Sequence, residues 1–156
     1  MVDISWYNIN NMKRSRPAPL ARRKGRSPMH TIRILQSDIS MDREREGVAC
    51  EALSHVDGLG FDFSAQGRPD LDDFFRSMGI TSYGNLDLDA EGAQTVRDGF
   101  FRAMDDVFRA IAPWTDDGEL VMMVDEDIDD IRAYRFRSGR VSAGHGFVRL
   151  SWTGPV

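Results

Sequence analysis

Only one cysteine, Cys50, and only two lysines, Lys13 and Lys24, occur in the 156 residues. A lone thiol cannot close an internal disulfide, so a disulfide-stapled secreted framework is excluded and a reducing, cytoplasmic setting is expected. No apolar run approaches the ~20 residues that span a bilayer. The first residues lack the basic-then-apolar order of a signal peptide, so no membrane partner is expected. There is no GxxxxGK[ST], GxGxxG or GxSxG to cradle a phosphate or raise a serine nucleophile, and Gly58-Leu59-Gly60 lacks both a third glycine and a helix start. His30, His55 and His145 form no HExxH, HxH or Cys/His ligand spacing. No cofactor is therefore expected. No repeat of 20–50 residues is visible either, which excludes solenoids and propellers.

What is present is charge, unevenly spread. The chain has 20 basic and 25 acidic residues. Residues 1–28 hold seven of the bases (Lys13, Arg14, Arg16, Arg22, Arg23, Lys24, Arg26) and one acid, Asp3, for +6; residues 29–156 keep 13 bases and 24 acids, for −11. The dominance of arginine over lysine fits a GC-rich genome and a bacterial or phage source. Pro17, Pro19 and Pro28 interrupt the first stretch, which shows neither helical nor strand period, so residues 1–28 read as a disordered basic tail. A purine-rich coding stretch for Arg23-Lys24-Gly25 would resemble a bacterial ribosome-binding site. Translation starting at Met29 is accordingly one reading, and residues 29–156 form a single domain in either case.

Beyond Met29, periodicity sets the elements. Residues 30–36 alternate β-branched and polar side chains and predict a strand. Met41, Val48, Ala49, Ala52, Leu53 and Val56 share a stripe, predicting a helix over 40–56 with Asp38 or Ser40 as cap. Phe61 and Phe63 alternate with polar neighbours, predicting a short strand at 60–65. Pro69 at a first helical position, the face Leu71, Phe74, Phe75, Met78 and the stop Gly79 predict the next helix. Ala93, Val96, Phe100, Met104, Val107, Phe108 and Ile111 predict one long helix from Asp89 to Ala112, with Asp98–Arg102 and Asp105–Arg109 as surface pairs. Leu120–Val124, apolar throughout, predicts a strand covered, or nearly so, on both faces. Ser138-Gly139 predicts a two-residue hairpin pairing Arg137 with Arg140, Phe136 with Val141 and Tyr134 with Ala143. Gly144-His145-Gly146 suggests a bulge or kink before a strand that turns Val148, Leu150 and Trp152 inward. Helices followed by a run of strands predict an α+β domain: an antiparallel sheet with helices packed on one face.

Candidate chemistry gathers in the last third. Asp125, Asp127 and Asp129 alternate as hard-oxygen donors for Ca²⁺ or Mg²⁺ would. An EF-hand counted from Asp125 nevertheless puts Asp130 where glycine is required and Phe136 where glutamate is required, so a solvated acidic turn is the plainer reading. His145 between glycines is the one catalytic candidate, since a loop can hold such a ring toward a ligand. Cys50 and His55 stand ~140° apart around a helix, poorly placed for a thiolate–imidazole dyad. Arg132, Arg135, Arg137, Arg140 and Arg149 crowd the hairpin, either as an anion patch or as neutralisers of the 125–130 carboxylates. Phe101 and Trp114 stand off the core stripe as candidate partner anchors.

Three functions follow from these features. The first is a protein-binding or inhibitory module, of the immunity-type or phage-accessory kind, meeting a basic protein through Asp125, Glu126, Asp127, Asp129, Asp130 and Trp114. The second is a small enzyme whose carboxylates and His145 meet in a cleft. The third is nucleic-acid binding through the basic tail and the hairpin arginines.

Overall fold

The computed structural model describes residues 2–7, 29–64, 70–97, 99–150 and 155. Its organising strand is β4, Gly118–Val124, whose Leu120–Val124 segment has no polar side chain. β4 lies inside a six-stranded antiparallel sheet of order β1-β6-β5-β4-β2-β3. The other strands are β1 Val2–Tyr7, β2 Met29–Ser37, β3 Ala93–Arg97, β5 Asp127–Arg137 and β6 Arg140–Leu150. Leu120 and Met122 face the helices within the main core, while Val121, on the opposite face, is also buried. On that opposite face Met123 is half-buried, so the strand is covered on the helix side and nearly so on the other.

Among the described residues three α-helices cover the sheet face that bears Leu120 and Met122: α1 Arg43–Ser54, α2 Leu71–Met78 and α3 Phe100–Ile111, the last followed by a 3₁₀ turn through Trp114. The domain is α+β, an antiparallel sheet with helices packed on one face. Phe108 of α3 is the hub of the core: its ring lies 4.5 Å from Tyr134, 5.6 Å from Phe136 and 6.4 Å from Phe75, centroid to centroid. Each fully buried aromatic or aliphatic side chain here removes enough apolar surface from water to stabilise the fold by about 1.5–3 kcal/mol. No helix among the described residues is long and apolar enough to cross a membrane.

The β5–β6 hairpin has the expected register, Arg137 against Arg140, Phe136 against Val141, Tyr134 against Ala143 and Arg135 against Ser142. Ser138 (φ 51°) and Gly139 (φ 77°) both take positive φ, as the tight primed turn requires. Gly144-His145-Gly146 is not a kink: these residues pair in unbroken register with Ala133, Arg132 and Ile131. Val148 is half-buried; the Leu150 side chain and Trp152 lie outside the described residues.

Three element predictions are corrected. The helix expected over 89–112 is two elements, with Ala93–Arg97 forming strand β3 against β2. The β-branched pair Thr95-Val96 suits a strand, and Gly92 (φ 75°) and Gly99 bracket the change. Phe61 and Phe63 form no strand. Both rings pack 5.6 Å from Phe74 while Ser64 N–H donates to Asp62 at 2.9 Å, closing a local turn instead. The first helix begins at Arg43 after Asp42; Ser40 donates to Asp116 rather than capping, and Val48 is exposed. The basic tail differs at its start, where Val2–Tyr7 pairs with β6. Its basic residues, 13–26, lie outside the described residues, as do Pro69 and Asp98.

Candidate functional site

The acidic run occupies the β4–β5 connection and the start of β5. Asp125 (φ 52°) and Glu126 (φ 55°) form the turn. Positive φ at both positions is what a two-residue hairpin between Val124 and Asp127 requires. The turn is held by contacts with β2. Asp125 accepts from the Thr31 N–H at 3.0 Å and stands 2.9 Å from His30 Nδ1. Arg33 reaches Glu126 at 2.9 Å.

Past the turn the ladder breaks. Val124 pairs with Asp127, but Met123 pairs with Ile131, so Ile128, Asp129 and Asp130 have no counterpart on β4. Such a bulge re-aims side chains, and here it divides them. Ile128 is 56% exposed, with Asp127 and Asp129 exposed on either side and the Asp129 N–H donating to Asp127 at 2.9 Å. Asp130 turns inward, 2.8 Å from His145 Nε2 and 3.1 Å from Arg132 Nε. Burial alone would raise the Asp130 carboxyl. The hydrogen bonds from His145 and then Arg132, with their charges, outweigh burial and bring it to about 2.

Both ends of the bulge converge on one residue of α3. The His30 ring meets Phe101 edge-on at 5.7 Å, and the Arg132 guanidinium lies 4.2 Å above the same ring. A cation over an aromatic face is worth about 0.5–2 kcal/mol, more as water is excluded. Phe101, expected as an exposed anchor, is half-buried and clamps the bulge from inside. Trp114 is likewise half-buried against the core, its carbonyl accepting from Arg45 at 3.2 Å.

Beside the clamp is a cleft of about 250 Å³ between α3 and strands β5 and β6, lined by Phe101, Asp105, Arg132, Tyr134, Ala143 and His145. The Tyr134 hydroxyl donates to Asp105 at 2.6 Å. Burial first, and the Asp105 carboxylate second, push the Tyr134 phenol well above its ordinary range, so it stays a donor. Asp105 is therefore not the surface partner of Arg109, which pairs with Asp106 at 2.8 Å. A signal for the Tyr134–Asp105 contact was present in the sequence, because an inward tyrosine on a half-buried sheet needs an acceptor for its hydroxyl.

Comparison of the chain with protein-family models, curated proteins and solved structures gave no match.

The structure thus brings His145, Asp130 and Arg132 together. Asp125 turns to His30 and Thr31 while Asp127 and Asp129 stay exposed beside Ile128, and no group of three or more His, Cys, Asp or Glu side chains among the described residues is placed to hold a metal ion. Of the other hairpin arginines, Arg135 turns to Glu119 at 2.7 Å, while Arg137, Arg140 and Arg149 are exposed. His55 ends α1 on the surface. Cys50 borders a wider hollow of about 490 Å³ with Arg43, Glu46, Glu51, Phe63 and Asp70. Burial, and then the charges of Glu46, Asp70 and Asp73, push its thiol up to about 11. Such a thiol is overwhelmingly protonated at neutral pH and a poor nucleophile.

Proposed function

We propose that the chain is a protein-binding module of the inhibitory, immunity-type or phage-accessory kind, and that its contact is the clamped bulge at the start of β5. One observation supports this above the rest: Ile128 is 56% exposed between two exposed carboxylates on a segment whose two ends are fastened to the body. An isolated exposed isoleucine needs no explanation. One held on a segment whose ends are fixed, with Asp125 and Asp130 tied by His30, Thr31, Arg132 and His145, is set in place before any partner arrives. Preorganisation of this sort lowers the entropy lost when a partner docks. The partner is a basic protein with an apolar socket: Ile128 supplies the buried contact, and Asp127 and Asp129 the polar rim. The net charge of −11 over residues 29–156 steers basic surfaces toward it.

The test is capture from the source cell at low salt with the full chain. A stoichiometric, salt-sensitive basic partner should be retained by wild-type protein and by Val48→Asp, which alters an exposed residue elsewhere, and lost with Ile128→Asp. Equal capture by both variants, or no partner at low salt, overturns the reading.

A further inference from the structure

The cleft between α3 and the β5–β6 pair is a second feature, separate from the bulge surface. Its floor is a two-by-two patch of one sheet face, with Arg132 and Tyr134 on β5 opposite His145 and Ala143 on β6. Its wall is one face of α3, where Phe101 and Asp105 stand four residues apart. Three of the four floor positions carry large side chains. Ala143 does not, and it is exposed. The missing side chain at 143 leaves the open volume of about 250 Å³, slightly below the size range of drug-sized ligands.

The polar groups around that volume are charged and of opposite sign. Arg132 uses Nε and Nη2 on Asp130, and its Nη1 donates to no described residue. Asp105 uses Oδ1 on the Tyr134 hydroxyl, and its Oδ2 accepts from no described residue. Asp105 is exposed, and no side-chain polar atom of the less exposed described residues is buried without a partner, so water reaches both atoms. The bonds already made fix both groups: Arg132 is held against Asp130 and over the Phe101 ring at 4.2 Å, and Asp105 by the 2.6 Å bond from Tyr134. A ligand would meet a preset donor, Arg132 Nη1, on the sheet and a preset acceptor, Asp105 Oδ2, on the helix.

We propose that this cleft binds a small zwitterion, a carboxylate on Arg132 and an ammonium on Asp105, with its carbon framework over Ala143 against Phe101. A lone anion would leave Asp105 uncompensated beside it, and a lone cation would face Arg132. Only a ligand bearing both charges matches the two walls. The shared chemistry belongs to a free α-amino acid and to a short peptide carrying both termini.

Titration of the full chain, followed by amide chemical shifts, tests this with L-alanine, alanyl-alanine, propionate and ethylamine as probes. Saturable shifts centred on Ala143, Gly144 and His145 are expected with alanine or alanyl-alanine, and the tighter of the two identifies the source. Propionate and ethylamine, each holding half the chemistry, should bind at least about tenfold more weakly. Ala143→Leu, which fills the space from an exposed position, should abolish the shifts. Asp105→Asn keeps an acceptor for Tyr134 but removes the charge, and should weaken binding by about tenfold or more. No saturable shift at tens of millimolar, half-ligands binding as well as the zwitterions, or undiminished binding by both variants would overturn the proposal.

Discussion

Asp130 shows how one side chain can join two parts of a site. It belongs to the bulge by sequence but turns inward, 14% exposed, to bond His145 and Arg132, which line the cleft. Its carboxyl lies at about 2 against an ordinary 3.8. A folded-state pKa below the unfolded one adds stability that is complete above about pH 4 and is lost as pH falls through about 2. The difference corresponds to on the order of 2 kcal/mol. Asp116 is also lowered, chiefly by the Ser40 hydroxyl and then Arg45, but its side chain is 42% exposed and screened. Urea unfolding of the wild type between pH 5 and 2 should therefore show a steep acid loss. Asp130→Asn should be less stable at neutral pH and lose less between pH 4 and 2. Parallel curves for the two proteins over that window would remove Asp130 from the acid transition.

Helix α2 shows what local sequence can specify by itself. Asp70 accepts from the Asp73 N–H at 2.9 Å while Asp73 accepts from the Asp70 N–H at 3.1 Å, a reciprocal capping box. At the other end Gly79 takes φ 101°, Ile80 N–H donates to Phe75 O at 2.9 Å and Gly79 N–H to Arg76 O at 3.0 Å, the Schellman pairing with Phe75 and Ile80 both buried. A Cβ at Gly79 would overlap the Thr95 carbonyl on β3. Gly79→Ala should cost about 2 kcal/mol or more through left-handed strain and displacement of β3. Gly47→Ala, inside α1 with open space around it, should stabilise by about 0.5–1 kcal/mol. The measurement is the urea midpoint at unchanged slope, and a neutral Gly79→Ala would refute the close approach. Punctuation of this kind is why α2 and the Ser138-Gly139 hairpin are readable from sequence. Ala93 and Val96 mislead because they fit a helical stripe continuous with Phe100, while β2 pairs with that segment from 60 residues away. The bulge is unreadable for the opposite reason: an aspartate-rich strand start has no apolar period, and its form depends on His30, Phe101 and Arg132 reaching it from three elements.

At the scale of the molecule, the sheet order makes the two edges unlike. β3 closes one side, its residue Gln94 bonded to the Thr81 N–H at 2.8 Å and, through its own amide, to the Asp89 carbonyl at 2.8 Å. On the other side β6 is covered by β1, with Ile4 against Val148, Ser5 against Phe147 and Tyr7 against His145. The basic stretch at 13–26 connects that edge strand to β2. A chain starting at Met29 keeps β2 through β6 but exposes a β6 edge up to Leu150, and an unprotected edge is a template for pairing with another chain. Hydrogen exchange on the full chain and on one starting at Met29 separates the possibilities. Amides over 145–150 should lose protection in the shorter chain, those over 131–137 should keep it because β4 still pairs there, and the shorter chain should self-associate more at equal concentration. Unchanged protection over 145–150 would mean that β1 adds nothing to the sheet in solution.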